Sequence, residues 1–303
     1  MDRVLVVKKP AGMTSHDVVD RVRRTSGIRR VGHTGTLDPS ATGVLVLLVG
    51  RATRLAQFFF EDEKDYRGEM ILGTATDTQD AEGKVVSTAT VTGITAADVE
   101  RAFAGFVGAI EQVPPMVSAI KHEGTPLYVL ARRGVTVPRQ PRQVHVRRLE
   151  LVAYREPAAE FEVTCSKGTY VRTLAHDVGV ALGCGAHLGR LSRERVGRFR
   201  IGDAAGLDEV SRAGSDLGRV GLSMFDACDS WPVLEVDPDE LSAIATGTAI
   251  EVEGARLAGP GALVRITPDG EALAAVGRLD DVDERAGGSL RTVRPVRVFV
   301  EPA

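Results

Sequence analysis

One segment of the sequence carries residue types that can hold a reactive carboxylate in place. GHTGTLDPSATGVL (residues 32–45) combines glycines and small polar residues with a single acidic side chain, Asp38, directly before Pro39. Proline restricts the residue before it to extended geometry, and glycines allow close approach of the backbone. The segment therefore predicts a carboxylate presented from a rigid loop next to a buried strand. An aspartate that only caps a turn is the alternative.

Motifs of several other enzyme classes are missing from the sequence. It contains no G-x-x-x-x-G-K-[ST] loop, no G-x-G-x-x-G that opens a helix after a strand, and no G-x-S-x-G elbow. Two dipeptides, His16-Asp17 and His176-Asp177, leave a metal-dependent phosphohydrolase as an alternative. Adjacent residues of a helix point about 100° apart, however, so each dipeptide alone makes a poor chelate.

Positive charge is concentrated in two parts of a chain whose formal net charge is −3. Residues 1–54 hold ten Lys or Arg against four Asp or Glu, and residues 121–200 hold fifteen against seven. Residues 201–303 reverse the balance, with nine basic against nineteen acidic side chains. Phosphate contacts supply most non-specific affinity for nucleic acid, so the basic parts are candidates for a nucleic-acid-binding surface. Solvated faces balanced by neighbouring charges are the alternative.

The composition predicts a cytoplasmic protein of two domains. The chain has 303 residues, which is long enough for two domains, because a main domain of roughly 200 residues would bury its own core. The apolar run at 44–49 is far shorter than the roughly 20 residues that span a bilayer, and the start does not resemble a secretory signal. Cys165, Cys184 and Cys228 are widely spaced and form no C-x-x-C pair, which fits a reducing compartment.

The elements that position Asp38 are predicted from hydrophobic periodicity. Residues 4–7 form a strand, and a helix at 16–24 follows an N-cap at Ser15. Residues 27–43 have the composition of a loop. This loop leads into VLVLLV at 44–49, a run typical of a buried strand.

Further elements are predicted along the chain, and they mix strands and helices without strict alternation, which favours an α+β fold. They are strands at 65–72, 144–154 and 160–165, a turn at 77–83, a helix from Ala96 to about Phe106 behind the Thr95 and Asp98 box, and a helix at 170–182. From about residue 233 the runs AIEV, ALVRIT, LAAVG and VRVFV are separated by glycine turns. These runs predict a small C-terminal β domain at 226–303 after a main domain at 1–225.

Six segments in a fixed order carry a resemblance to one family. They are KPAGMTSHDVV (9–19), GHTGTLDPSATGVL (32–45), KDYRGEMILG (64–73), TDTQDAEG (76–83), QVPPMVSAIK (112–121) and CSKGTYVRTLAHDVG (165–179). Together they resemble the bacterial TruB-type tRNA pseudouridine-55 synthases over roughly residues 3–200. Six ordered segments are far harder to match by chance than one short motif, so the resemblance favours a catalytic Asp38 over a turn cap.

The resemblance implies an isomerase that converts a flipped uridine of tRNA to pseudouridine. Nothing is oxidised and no group is imported in that reaction, so we expect neither a cofactor nor a metal. Asp38 matches the family's catalytic aspartate. The resemblance leaves open whether Asp38 attacks the base, attacks the ribose, or promotes elimination to a glycal. Arg172 matches the active-site arginine, which we expect to keep the Asp38 carboxylate ionised. Tyr66 matches the tyrosine that stacks on the base and serves in proton transfer.

Other substrate-binding residues follow from the same resemblance. Tyr170 and Leu191 match residues that line the nucleotide pocket, and plain core packing is the alternative for Leu191. His33 matches a residue that enters the RNA loop where the flipped base was stacked. Lys9 begins the K-P motif, and we expect for it either a structural role or one near a phosphate.

The resemblance also implies the architecture and the partner. We expect a pseudouridine synthase catalytic domain with a mixed, mainly antiparallel sheet, an RNA-binding insertion at about 113–143, and a PUA-like C-terminal β domain with at most an accessory RNA role. The expected partner is tRNA, bound through its T-arm. We expect the protein to be a monomer that has no obligate protein partner and does not bind a membrane. A non-catalytic RNA-binding protein or tRNA-folding factor is the rival class, and Asp38, Tyr66 and Arg172 together argue against it.

Overall fold

The computed structural model describes residues 1–253, 259–282 and 290–301. Its strands are β1 (Arg3–Lys9), β2 (Val31–His33), β3 (Thr42–Val49), β4 (Lys64–Leu72), β5 (Thr74–Thr76), β6 (Val85–Thr88), β7 (Gly108–Gln112), β8 (Lys121–His122), β9 (Thr125–Pro126), β10 (Arg142–Arg155), β11 (Ala158–Cys165), β12 (Ala186–Val196), β13 (Phe199–Arg200), β14 (Ala205–Gly206), β15 (Val233–Glu235), β16 (Ile250–Glu253), β17 (Leu263–Thr267), β18 (Ala275–Val282) and β19 (Leu290–Val298). Its α-helices are α1 (Ser15–Ser26), α2 (Ala56–Phe59), α3 (Ala96–Ala104), α4 (Leu127–Arg132), α5 (Val171–Ala181), α6 (Leu207–Ala213) and α7 (Pro238–Ala245). Short 3-10 helices cover Gly50–Leu55, Ile201–Asp203, Leu217–Arg219 and Asp226–Cys228.

A large mixed sheet forms the centre of the N-terminal part and carries the candidate site. Its strand order is β14-β1-β3-β12-β4-β11-β10-β7, with β2 attached to β3 and β13 to β12. The pairs β1–β14 and β3–β12 are parallel, and the other pairs along this order are antiparallel. The α+β class with a mainly antiparallel sheet is therefore confirmed. β12 inserts between β3 and β4, although it follows both late in the chain.

Strand β3 is buried along its length, as the apolar run in its sequence predicts. Residues from Val44 to Val49 are at most 1% exposed, which is typical of a strand covered on both faces. Helix α5 packs beside the sheet, and its Leu174 and Val178 join Met70 and Phe161 in one apolar cluster. The same cluster contains Leu37 and Ala41, which stand on either side of Asp38 in the sequence, so this packing brings α5 close to Asp38.

Helix α1 begins one residue earlier than predicted, because its N-cap is Thr14 and not Ser15. The Thr14 hydroxyl accepts a hydrogen bond from the Asp17 N–H at 3.0 Å, and the Asp17 carboxylate accepts one from the Thr14 N–H at 2.8 Å. This reciprocal box satisfies two backbone donors at the helix start. The helix ends where Gly27 adopts the left-handed conformation with φ of 74°. The segment predicted as loop from 27 to 43 also contains the short strand β2.

The C-terminal part forms a second sheet of strand order β15-β17-β18-β19-β16. The four apolar runs predicted as β structure correspond to β16, β17, β18 and β19. Leu273, Val276 and Phe299 lie in the same apolar cluster as Val4 and Phe59 of the N-terminal part. The two sheets therefore share a buried interface. None of the helices in the described part of the chain has the length and apolarity that a membrane span requires.

Candidate active site

Asp38 lies in the loop of residues 34–41 that joins β2 to β3, called the Asp38 loop below. Backbone hydrogen bonds fasten this loop along its length. The Thr34 N–H donates to the Val46 carbonyl at 3.1 Å, the Ala41 N–H to the Asp38 carbonyl at 3.1 Å, and the Gly12 N–H to the Pro39 carbonyl at 2.9 Å. The loop is thus held to both β3 and the turn after β1, as a rigid carboxylate-bearing loop requires.

The Ser15 hydroxyl fixes the residue just before Asp38. It accepts a hydrogen bond from the Leu37 N–H at 2.8 Å and donates one to the Leu37 carbonyl at 3.1 Å. A sequence pattern predicts Ser15 as a helix cap because serine is common at that position. The tertiary contact with Leu37 accounts for the difference, since Thr14 performs the capping and leaves the Ser15 hydroxyl available for the loop.

Lys9 is fully buried, at 0% exposure, and its side chain stabilises the Asp38 loop. Its ammonium donates to the carbonyls of Pro10 at 2.9 Å, Met13 at 2.6 Å and Pro39 at 3.1 Å. Burial lowers the pKa of Lys9 to about 8, although the negative charge of Asp38 acts against this shift. Because all three donors are used inside the protein, this placement favours the structural role over the role near a phosphate.

Arg172 brings three separate parts of the chain together at Asp38. It lies in the first turn of α5 and its side chain is only 6% exposed. Its Nη2 atom is 3.2 Å from Asp38 Oδ1 and 2.8 Å from the Val117 carbonyl oxygen, while Nη1 is 3.4 Å from Asp80 Oδ2. Burial of a guanidinium carries a desolvation cost, which such partners offset. The predicted Asp38–Arg172 pair is therefore present, and it is one half of a carboxylate–guanidinium–carboxylate row.

The Asp38 carboxyl group is subject to opposing electrostatic effects. Burial raises its pKa above the ordinary value of 3.8, the positive charge of Arg172 lowers it, and the negative charge of Asp80 raises it further. The net shift of the Asp38 pKa is upward, so the charge of Arg172 only partly offsets the effect of burial. The expectation that Arg172 keeps Asp38 ionised did not take this burial into account. The side chain is still 37% exposed. The Asp38 carboxylate can therefore contact a bound molecule while its Oδ1 stays paired with Arg172.

Asp80 is a site residue that the sequence analysis did not single out. It lies in the turn between β5 and β6, where its carboxylate accepts hydrogen bonds from the Thr78 hydroxyl at 2.6 Å and the Glu82 N–H at 3.1 Å. These bonds leave the other oxygen for Arg172. The TDTQDAEG segment contains two acidic side chains besides Asp80, namely Asp77 and Glu82, and nothing in their spacing marks the one that faces Arg172.

Tyr66 lies on β4, where it pairs with Val163 of β11 and with Arg193 of β12. Its side chain belongs to the apolar cluster that also contains Leu37 of the Asp38 loop and Leu174 of α5. Burial raises the pKa of the Tyr66 phenol, and the charge of Arg193 acts to lower it. The phenol therefore stays protonated near neutral pH, and its ring lies in the same cluster as the residue before Asp38.

Tyr170 lies beside Arg172, and Leu191 packs against this cluster. Tyr170 is the N-cap residue of α5, and the Arg172 guanidinium carbon lies 5.9 Å from the centre of its ring. Gln112 holds the Tyr170 backbone, since its side chain donates to the Tyr170 carbonyl at 3.2 Å and accepts from the Tyr170 N–H at 3.0 Å. Leu191 of β12 is partly buried against the cluster, a position compatible with both pocket lining and core packing.

His33 lies at the end of β2, at the entrance to the Asp38 loop. Its Nδ1 accepts a hydrogen bond from the Gly35 N–H at 3.3 Å. Burial is the largest cause that lowers its pKa, and the charge of Arg193 adds to this effect. The imidazole is therefore neutral near physiological pH. The structure places His33 on the loop that bears Asp38, but among the described contacts it does not touch the Asp38–Arg172–Asp80 row.

The two His-Asp dipeptides do not form a chelating cluster in the described residues. His16 faces Asp20 one helical turn away, with 3.5 Å between Nε2 and Oδ2. His176 is in α5, and its Nδ1 is buried without a hydrogen-bond partner among the described atoms. Residues 1–253, 259–282 and 290–301 contain no group of three His, Cys, Asp or Glu side chains that could hold a metal ion.

Comparisons with known proteins agree with this fold. A model of the TruB family pseudouridylate synthase N-terminal domain matches residues 23–171, and a model of the tRNA pseudouridylate synthase B C-terminal domain matches residues 172–219. A protein named tRNA pseudouridine synthase B from Syntrophotalea carbinolica is 48% identical over 248 residues, covering 82% of this chain and 81% of that protein. Its namesake from Pelotomaculum thermopropionicum is 44% identical over 291 residues, covering 92% of each.

A solved structure extends the likeness to the whole fold. A chain in the crystal structure of a Cbf5-Nop10-Gar1 complex has a TM-score of 0.75 at 25% identity, covering 99% of this chain and 85% of that chain. The fold and the relatives define the class as the pseudouridine synthases, which are isomerases. Within that class the chain belongs to the TruB family of pseudouridylate synthases.

Proposed function

We propose that this chain converts a uridine in the T-loop of tRNA to pseudouridine, with Asp38 as its catalytic carboxylate. The observation that carries this proposal is the 3.2 Å contact between Asp38 and the buried guanidinium of Arg172. The relatives named tRNA pseudouridine synthase B support tRNA as the substrate. A carboxylate that is held by a cation and still open to solvent is suited to covalent or proton-transfer chemistry on a bound nucleotide.

The reaction is an isomerisation, so its atoms balance without a second substrate. The bond between N1 of the base and C1′ of the ribose breaks, the base turns, and a bond between C5 and C1′ forms. C5 then loses its proton and N1 gains one. Asp38 either attacks the base or the ribose, or removes a ribose proton to give a glycal. In each case a pocket must hold the detached base, because a base lost to solvent ends the reaction.

Tyr66 and His33 are proposed to handle the flipped base. Extrusion of a base from its stack costs a few kcal/mol, and stacking on an aromatic ring returns about 1–3 kcal/mol. The Tyr66 ring already lies in the apolar cluster beside the Asp38 loop, so little ordering is needed before the base arrives. His33 would fill the place that the base leaves, with Tyr170 and Leu191 lining the pocket.

We assign tRNA binding to the basic segment 121–155 and to the insertion at about 113–143. The insertion contains the hairpin of β8 and β9 and the short helix α4, and Val117 at its root accepts a hydrogen bond from Arg172. We assign the enzyme to the cytoplasm as a monomer without an obligate protein partner. Residues 226–303 are assigned a PUA-like domain with at most an accessory contact to RNA, because the acidic balance after residue 200 disfavours phosphates.

One experiment tests this function against its rivals. Purified protein is incubated with an unmodified tRNA transcript, with and without EDTA, and pseudouridine is mapped by position. A transcript with cytidine in place of the T-loop uridine is the matched control. We expect product at the T-loop position in both tubes and none in the control transcript. Tight binding without product would support the RNA-binding rival, and product only without EDTA would support a metal-dependent enzyme.

A second experiment tests the role of Asp38 itself. Asp38→Asn keeps the size of the side chain but removes its negative charge and its nucleophilicity. We expect turnover to be abolished while the dissociation constant for tRNA stays within about tenfold of wild type. Turnover is measured by tritium release from uridine labelled at C5 and affinity by filter binding. Substantial remaining turnover would exclude Asp38 as the catalytic carboxylate.

A further inference from the structure

Arg193 of β12 is a buried cation that directs its donors to the Asp38 loop and to β3. Its side chain is among the largest fully buried ones, at 2% exposure. Its Nε donates to the Val44 carbonyl at 2.7 Å, Nη2 to the Gly35 carbonyl at 3.0 Å and Nη1 to the Thr36 carbonyl at 3.4 Å. Among the described ion pairs, none joins Arg193 to a carboxylate. A buried charge without a counter-ion is costly, so this arrangement calls for a compensating role.

The three carbonyls lie on both sides of Asp38 in the sequence. Gly35 and Thr36 precede Asp38 in the loop, and Val44 follows it on β3. A planar guanidinium can bind carbonyls in several fixed directions at once. Arg193 therefore ties the entrance of the Asp38 loop to its exit, while Lys9 and Ser15 hold the middle.

Close backbone packing fixes Arg193 itself relative to the loop exit. Arg193 pairs with Gly43 where β12 runs parallel to β3. Gly43 has φ of 101°, and a Cβ added there would collide with the backbone of Arg193. Only glycine permits this approach, so β12 and the exit of the loop are held in direct contact.

The same residue is registered beside Tyr66. Arg193 and Tyr66 are directly opposite in the antiparallel pair of β12 and β4. The positive charge of Arg193 also acts on the Tyr66 phenol and on the His33 ring. Arg193 thus binds the Asp38 loop through its guanidinium and lies next to Tyr66 in the paired strands β12 and β4.

We propose that Arg193 is a positioning residue that sets the distance between the Asp38 carboxylate and the Tyr66 ring. This inference rests on the function proposed above. At 2% exposure the side chain is too deeply buried to act on the nucleotide itself, and it acts through the loop. A misplacement of about 1 Å at reacting groups can cost about a hundredfold in rate, so removal of the guanidinium lowers the rate of the chemical step more than it lowers the affinity for tRNA.

The test uses the full-length chain with Arg193→Met and Arg193→Lys, and with Arg195→Met and Arg195→Lys as matched controls. Arg195 lies on the same strand but binds Asp65 and the Gly197 carbonyl, not the Asp38 loop. Single-turnover rates at saturating tRNA, dissociation constants and melting curves are measured for all variants. We expect Arg193→Met to lose about a hundredfold in rate with affinity within about threefold. Arg193→Lys should lose about tenfold, because an ammonium replaces only part of the planar fork.

Each outcome decides the role of Arg193. A folded Arg193→Met variant with a rate within about threefold of wild type overturns the proposal, and so do equal losses in the Arg195 controls. If neither Arg193 variant folds, the residue is required for folding and the positioning role is rejected. Wild-type protein in the same assay separates a failure of the proposed function from a failure of the proposed role of Arg193. If wild type gives no product, the proposed function is rejected. If wild type is active and Arg193→Met is equally active, only the positioning role of Arg193 is rejected.

Discussion

At the scale of single residues, the charge state of Asp38 links the structure to a measurable pH dependence. Burial raises the pKa of Asp38 above 3.8, and Arg172 partly reverses this shift. The role proposed for Asp38 needs its ionised carboxylate, so we expect the single-turnover rate to fall as pH decreases through the raised pKa and to be level above it. Arg172→Met removes the stabilising charge and should move this acidic limb to higher pH. Rates measured from about pH 4.5 to 8 on protein shown to be folded test both statements. A limb that stays in place in Arg172→Met would contradict them.

Arg172 also allows a prediction about geometry as distinct from charge. Its two terminal nitrogens serve Asp38, Asp80 and the Val117 carbonyl at once, which a single ammonium does not reproduce. We expect Arg172→Lys to lose about a hundredfold in single-turnover rate, with tRNA affinity changed by less than about tenfold. Arg101→Lys, at an exposed ion pair on α3, is the control. A rate near wild type in Arg172→Lys would show that charge alone is sufficient.

The residue scale also marks the limit of what the sequence reveals. Asp38 and Arg172 are identifiable because each lies in a segment that resembles the family. Asp80 lies within such a segment, whereas Arg193 lies 14 residues after the last one. The role of each depends on a distant partner: Arg172 is 92 residues from Asp80, and Gly35 is 158 residues from Arg193. Local pattern carries no information about such pairs. The raised pKa of Asp38 was likewise outside the reach of the sequence, since burial is a property of the fold.

At the scale of elements, the start of α1 is coupled to the Asp38 loop through Ser15. Ser15→Ala leaves the buried Leu37 N–H and carbonyl without their partner, at a cost of about 1–3 kcal/mol in the free energy of unfolding. We expect that loss together with a reduced single-turnover rate, because the loop is less well fixed next to Asp38. Chemical unfolding and rate assays measure the two effects. Ser26→Ala is the control, since its hydroxyl bonds Val22 within the same helix, and it should lower stability without lowering the rate.

The same helix explains which element boundaries are predictable. The Thr95 and Asp98 box identifies the start of α3 correctly because both of its hydrogen bonds are local. At α1 two candidate caps, Thr14 and Ser15, stand side by side, and a tertiary bond to Leu37 decides between them. The buried strand β3 is predictable from composition, whereas its neighbour β12 is not, because its sequence alternates arginines with smaller residues.

At the scale of the whole molecule, the shared apolar cluster predicts that the two sheets unfold together. Phe299 is 3% exposed in that cluster, and its carbonyl accepts a hydrogen bond from Arg51 at 2.9 Å. We expect Phe299→Ala to lower the free energy of unfolding by about 3–5 kcal/mol, with one cooperative transition retained and the rate at permissive temperature unchanged. Calorimetry and activity assays test this. Val296→Ala, at an exposed position of β19 three residues before Phe299, is the control. Separate transitions for the two sheets would contradict the prediction.

The position of β12 between β3 and β4 has a consequence for the order in which the protein is made. A ribosome releases β1, β3 and β4 early, yet these strands do not join into one sheet until a strand near residue 190 fills the gap between them. Contacts of such high sequence separation form slowly. The nascent chain therefore exposes the edges of β3 and β4 that face β12 until that strand emerges, and open edges of this kind favour aggregation. The enzyme becomes competent only after most of the chain has been synthesised.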